Sequence, residues 1–282
     1  MTAVLLLSCS DQKGLVASIS NFISDIGGNI INLAEHVDSE EKMFFIRVEW
    51  KMDEVHYSYD ELILKFRPLA EKINAKWRIE LAEKKHKIAI FVSKYDHVLQ
   101  EILWRHKLGE FNTEICSIIS NHNDLEILAK NYNIPFQHFP INNQNKLEQE
   151  QNEIDLLKKL DVDIIVLARY MQILSTKFVS EFPNKIINIH HSFLPAFMGG
   201  NPHKQAFMRG VKMIGATSHF VTNDLDEGPI IAQDIIRISH KDSVKDLVRK
   251  GRDLERLVLA KALHLHLEHR VLVQKGKTIV FE

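Results

Sequence analysis

From residue 86 onward the chain alternates short apolar runs with amphipathic stretches, and few folds accept that pattern. Residues 88–92 (IAIFV), 115–119 (ICSII), 164–167 (IIVL) and 186–189 (IINI) are the runs. A strand that is apolar at nearly every position is covered on both faces, as in parallel sheets flanked by helices. Between the runs lie helical faces: Val98, Leu99, Ile102 and Leu103, then a helix around residues 125–132, then one ending at residues 156–160. Residues 136–139 form a further short strand. The reading is an open, Rossmann-like α/β sheet. Past residue 210 the pattern changes. Residues 216–221 and 230–238 read as strands with no helix between them. A long helix over residues 244–268 follows, then a hairpin about Lys275, Gly276 and Lys277.

The first 82 or so residues obey a different rule. Residues 4–7 are a short strand, and a turn at residues 11–14 ends in Gly14. Leu15, Val16, Ile19, Phe22, Ile23 and Ile26 share one helical face, and Gly27 and Gly28 stop that helix. Residues 29–37 and 43–50 are strands. In the latter, alternation places Phe44, Ile46, Val48 and Trp50 on one face, so it should be half buried. Leu62, Phe66, Leu69 and Ile73 mark an amphipathic helix, and residues 77–81 a fourth strand. The order βαββαβ is that of a ferredoxin-like unit. Residues 82–87 (AEKKHK) are polar and make the best linker. The expected division is a small domain over 1–83 and a larger α/β domain over 86–282.

Composition narrows the function. Lys and Arg number 36 against 37 Asp and Glu, a formal charge of −1. No long-range field exists to hold a polyanion, so nucleic acid is not an expected partner. No apolar run reaches the ~18 residues that would span a membrane. The apolar start is short and lacks a basic region, so it reads as a strand rather than a signal peptide, and a cytoplasmic location is expected. The 2 cysteines, Cys9 and Cys116, stand far apart and read as small buried hydrophobes in a reducing compartment. The 15 histidines are the outlier.

Polar residues concentrate at strand ends between residues 188 and 228. Asn188 and His190 flank Ile189 at the carboxyl end of a buried strand, where open α/β sheets bind ligands. Alternation points both to one face. Asp226, in a loop over residues 223–229, could reach the same spot. An amide can hold a carbonyl oxygen, an imidazole can stabilise developing charge, and a carboxylate can orient the imidazole or take a proton from water. The trio suits acyl or formyl chemistry. By spacing alone, capping and core hydrogen bonding explain these residues equally well. Alternation turns His191 to the opposite face, as a packed or partly exposed residue. His264, His266 and His269 lack the i,i+4 pairing of a helical metal site, and His36, His56, His86, His97 and His122 show no ligand spacing. No metal is expected.

The words themselves are more specific. NIHHSFLPAF resembles the N-I-H-x-S-x-L-P signature of the formyltransferase fold that uses formyltetrahydrofolate. HFVTNDLDEGPIIAQ resembles its second signature, H-x-V-x-x-x-x-D-x-G-x-I-x-x-Q. LARYMQIL, residues 167–174, is similar to its folate-pocket strand and loop. The resemblance covers roughly residues 86–282. It implies that Asn188, His190 and Asp226 are catalytic, that His219 supports them, and that Met171, Gln172, Ile173, Leu174, Val221, Asn223 and Asp224 surround the pterin. It also implies a cis Leu194–Pro195 bond, and a flexible loop over the formyl site at Gly199, Gly200, Asn201 and Pro202, which by themselves read as a turn.

The first unit resembles an ACT domain through DQKGLVASIS and IGGNIINL. ACT followed by this fold is the layout of formyltetrahydrofolate deformylases, which the chain resembles nearly end to end. One departure separates it from glycinamide ribonucleotide formyltransferases. Those carry a Gly-Ser-x loop for the acceptor's phosphate after the first strand, where this chain has Ser93, Lys94, Tyr95, Asp96 and His97. The implied reaction is hydrolysis of 10-formyltetrahydrofolate to formate and tetrahydrofolate, with water as acceptor and no tightly bound cofactor. The implied role is balancing one-carbon folate pools and supplying formate for purine synthesis. A homo-oligomer, dimer or tetramer, is expected, with an amino-acid effector at the ACT-like unit. Two alternatives stay open at this point: formyl transfer to an amine, and a catalytically silent amino-acid sensor.

Overall fold

The structure is a computed structural model that describes residues 1–52, 57–196 and 201–282. His56, Gly199 and Gly200, which entered the readings above, lie outside the described residues. The chain forms two compact units, one of residues 1–84 with 268–272 and 279–282, the other of residues 85–267 with 273–278.

In the first unit the elements are β1 (Thr2–Ser10), α1 (Leu15–Asp25), β2 (Asn29–Asp38), β3 (Met43–Lys51), α2 (Tyr59–Lys72) and β4 (Lys76–Leu81). They run βαββαβ, and the sheet order is β2-β3-β1-β4, antiparallel throughout. Gly14 caps α1 at φ +86°, a left-handed conformation that costs glycine little. Ser58 and Glu61 form a capping box on α2, each satisfying a backbone N–H of the first turn. Leu15, Ile19 and Ile23 of α1 and Leu62 and Phe66 of α2 close one face of the sheet over Leu5, Ile46 and Trp50. Val16, read as part of that face, is exposed instead: it stands one position from the buried stripe at 15, 19 and 23, about 100° around the helix.

The half-buried reading of β3 needs correction. Phe45 and Arg47, on its second face, are also buried. Phe281, Leu272 and Ile279 pack over Phe45 and Leu6. Arg47 donates to the carbonyls of Glu268 and His269 and pairs with Glu49 at 2.9 Å. The cover comes from residues more than two hundred positions away, so local alternation could not show it. The two cysteines are unpaired: Cys9 is buried, but Cys116 is only half-buried, packed at the margin of the core around Phe91 and Ile119.

The second unit contains β5 (His86–Val92), α3 (His97–Lys107), β6 (Thr113–Ser120), α4 (Glu126–Asn131), β7 (Phe136–His138), α5 (Lys146–Leu160), β8 (Ile164–Leu167), α6 (Thr176–Glu181), β9 (Ile186–His190), α7 (Pro202–Arg209), β10 (Met213–Phe220), β11 (Ile230–Arg237) and α8 (Val244–Leu267). Its sheet runs β11-β10-β9-β8-β5-β6-β7. The five strands from β9 to β7 are parallel. β10 and β11 are antiparallel additions at one edge, as the missing helix between them required. The chain leaves β5 toward β6, then returns to its other side with β8, which opens a crevice beyond the strand ends. Two short helices, α6 and α7, were not anticipated. Pro202, read as loop, is the first residue of α7, where a missing N–H costs nothing. The sheet β12 (Val271–Gln274) and β13 (Lys277–Val280) is the anticipated hairpin.

Candidate active site

A cavity of about 680 Å³ opens beyond the carboxyl ends of β5, β8 and β9. That volume is of the size that holds one drug-sized ligand. Asn188, His190, Asp226 and His219 all line it, as do Met171, Gln172, Ile173, Leu174, Val221, Asn223 and Asp224. The structure thus brings together the residues that the resemblance assigned to catalysis and to the pterin. The Leu194–Pro195 bond is cis.

At the centre, His190 Nδ1 lies 3.2 Å from Asp226 Oδ1. Both side chains are at least nine-tenths buried. Asp226 sits at φ +59°, a left-handed conformation that aspartate tolerates better than most residues. Two positions on, Gly228 presses against the neighbouring strand. A Cβ there would stand 1.7 Å from the carbonyl oxygen of Phe220, so only glycine lets the loop lie close enough to deliver Asp226. Burial raises the Asp226 pKa, but the hydrogen bond and charge of His190 outweigh burial and hold it below the usual value. Asp226 is therefore ionised at neutral pH, and it orients His190.

His219 lies on β10 opposite Asn188 on β9. Its Nδ1–H donates to the carbonyl of Phe220 at 2.9 Å. Its Nε2 then carries the lone pair and accepts from the Asn188 amide at 3.2 Å. Burial pushes the His219 pKa down, more than the Phe220 carbonyl and Asp226 raise it. A neutral His219 fixes which end of the Asn188 amide is which. His190 Nε2 is buried with no hydrogen-bond partner among the described residues. An unmet polar atom on a cavity wall is expensive unless a ligand meets it.

The segment 171–174 is held by its backbone. The Met171 N–H donates to Ser93 Oγ at 2.9 Å, and Ser93 donates to Asn121 Oδ1 at 2.7 Å. The Ser175 N–H donates to Glu150 at 3.0 Å. The side chains of Met171 and Ile173 remain exposed, presenting an apolar wall beside the polar centre.

One reading of the histidines needs correction. His191 does not face away from His190. It lies just past the last residue of β9, where alternation no longer applies, and its ring centroid is 5.0 Å from that of His190. It is half-buried and lines the same cavity, and burial, with the charge of Arg169, pushes its pKa down to about 3. His203 lines the cavity as well.

Tyr95, Arg169, Arg252 and Glu255 also line the cavity and were missed. Glu255 had a signal. It falls within the buried stripe of α8, beside Leu247, Leu254 and Val258, and a charge in such a stripe is rarely buried without a partner. Its partners are His97 Nε2 at 2.8 Å and Arg169 Nε at 3.4 Å. No group of three or more His, Cys, Asp or Glu residues that could hold a metal ion occurs among the described residues.

Residues 86–263 match the formyl transferase family. The chain is 53% identical to a formyltetrahydrofolate deformylase of Synechocystis sp., over 100% of this chain and 99% of that one. It is 49% identical to the Bacillus subtilis protein of the same name, over 98% and 93%. The crystal structure of a formyltetrahydrofolate deformylase from Pseudomonas syringae pv. tomato superposes with a TM-score of 0.98 at 42% identity, covering 100% of this chain and 94% of that one. With the family match, the fold and the whole length in agreement, this chain belongs to the formyl transferase family and, within it, to the formyltetrahydrofolate deformylases.

Proposed function

We propose that this protein hydrolyses 10-formyltetrahydrofolate to formate and tetrahydrofolate. The observation that carries the reading is the unmet His190 Nε2 on the cavity wall, beside Asn188 and backed by Asp226. The formyl oxygen supplies the missing partner. Asn188, its amide orientation set by His219, donates a second hydrogen bond to that oxygen. His190 faces Asp226 through Nδ1, and it donates to the formyl oxygen from Nε2 when both ring nitrogens carry protons. Two donors aimed at one oxygen stabilise the tetrahedral oxyanion as it forms. Asp226 takes a proton from the attacking water. The carbon–N10 bond then breaks, N10 takes up a proton, and formate leaves.

The pterin lies against Met171, Gln172, Ile173 and Leu174, with Val221, Asn223 and Asp224 opposite. Exposed apolar side chains and backbone groups on the first segment, and amide and carboxylate groups on the second, suit a flat heterocycle with a polar edge. No tightly bound cofactor takes part. The first unit, with its βαββαβ order, acts as an ACT-like regulatory and oligomerisation domain, in a dimer or tetramer that an amino acid modulates. The physiological role is release of formate for purine synthesis and balance of the folate pool.

The test is direct. The protein is mixed with 10-formyltetrahydrofolate and no amine, and formate is measured. Formate and tetrahydrofolate should appear in equal amounts. Formate appearing only when an amine is added would favour a transferase, and none under either condition would favour a sensor.

A further inference from the structure

We infer that Arg169 and His97 select water over amines as the nucleophile, by occupying a carboxylate, Glu255, that would otherwise hold an acceptor in the cavity. The inference rests on the hydrolytic reading above. Glu255 is 2% exposed and lines the same cavity as His190. Burial raises its pKa, but His97 and Arg169 more than offset that, and the group stays ionised. An ionised carboxylate on a cavity wall is the natural anchor for an ammonium group or a hydroxyl donor. Here one of its oxygens already faces two cationic or N–H partners, at 2.8 and 3.4 Å.

Two features hold Arg169 in place. Its backbone is left-handed at φ +64°, just past the end of β8. Its guanidinium lies 5.2 Å from the centroid of the Tyr95 ring, a cation–π distance. Arg252 approaches the same ring at 5.6 Å. Such spending of strain and desolvation on a residue outside the reacting trio points to a task on the cavity wall.

The consequence for the reaction is one of concentration. A bound acceptor gains a large effective molarity over one free in solution. Water needs no binding site, because it is the solvent. With Glu255 occupied, an amine stays at its bulk concentration and loses to water. If an amine did attack, its nitrogen would bond to the formyl carbon, the carbon–N10 bond would break, and N10 would take up the proton that the amine loses. Arg169, His97 and Glu255 are thus positioning residues for the choice of nucleophile.

The experiment supplies 10-formyltetrahydrofolate with excess glycinamide and measures the ratio of N-formylglycinamide to formate. This ratio does not depend on how much of a variant is folded. Arg169→Met should raise it at least tenfold over the unaltered protein, and Arg169→Met combined with Glu255→Gln should return it to the starting value. Tyr95→Ala, a change at a partly exposed ring, should raise it in the same direction by a smaller factor. An unchanged ratio in Arg169→Met and Tyr95→Ala overturns the inference, as does a rise that persists in the double variant. Absence of formate from the unaltered protein would instead overturn the hydrolytic reading.

Discussion

The Asn188 amide donates to His219 Nε2 across 3.2 Å, and the direction of that bond is set from the far side of the ring, where Nδ1–H is committed to the Phe220 carbonyl. Asn188 therefore presents a known edge to the cavity. His219→Phe keeps a ring but deletes the acceptor, leaving the amide to rotate. The expected result is a roughly tenfold lower kcat, about the worth of one hydrogen bond, with KM little changed. Steady-state kinetics of formate release measure it. A KM rise at constant kcat would place His219 in substrate binding instead.

Asp226 is held ionised by His190 despite its burial. A carboxylate with a lowered pKa keeps its charge as pH falls, until it drops below the ordinary value of 3.8. Asp226→Asn preserves shape and removes the charge. It should lower kcat by about 10²–10⁴ while the thermal transition survives. The dependence of kcat/KM on pH gives the sharper test. Any ionisation seen between pH 5 and 8 in the unaltered protein should come from another group. Its disappearance in Asp226→Asn would show that Asp226 itself titrates there, against the charge environment described.

Ser93 supports the apolar wall from beneath. Its Oγ accepts from the Met171 N–H and donates to Asn121, and it is 2% exposed. Ser93→Ala leaves an N–H and an amide oxygen without a partner at the root of segment 171–174. The Michaelis constant for the folate should rise by about tenfold, with kcat within about twofold, because the change touches binding more than the reacting carbon. An unaltered KM would mean that the other ties of the segment, at Ser175 and Ile173, suffice to hold it.

The parallel sheet was legible because its strands are apolar on both faces, as Ile164 to Leu167 show. The trio of Asn188, His190 and Asp226 was legible as words more than as spacing: Asn188 and His190 alternate onto one face, but the arrival of Asp226 depends on a close approach that only Gly228 permits. What escaped notice came from long-range packing. Arg47 is buried by residues near the far end of the chain, and no local window contains both partners. His191 defied alternation because the strand ended one residue earlier. Glu255 and Glu153 could have been found, each as an acid within the buried stripe of its helix.

Glu153 gives the last prediction, one of stability. It is fully buried on α5, accepts from the Tyr170 hydroxyl at 3.2 Å, and has a second oxygen with no partner among the described residues. Burial, reinforced by Glu150 and only partly offset by the Tyr170 hydrogen bond, raises its pKa from 4.5 to about 8. The folded protein thus binds a proton that the unfolded chain releases above 4.5. Folding is favoured by this group below pH 4.5, and the advantage drains away as pH rises from 4.5 to about 8. At pH 7 the cost is on the order of 3 kcal/mol. Glu153→Gln keeps an oxygen for Tyr170 and carries no proton to lose. It should raise the Tm at pH 7 and flatten the fall in stability between pH 5 and 8. The lowered carboxylates Asp226 and Glu255 act in a different window, since their contribution is lost only on acidification below ordinary carboxylate values. Denaturation followed at several pH values separates the two effects. A variant no more stable at pH 7 than the unaltered protein, with the same slope, would show that Glu153 is ionised in the folded state.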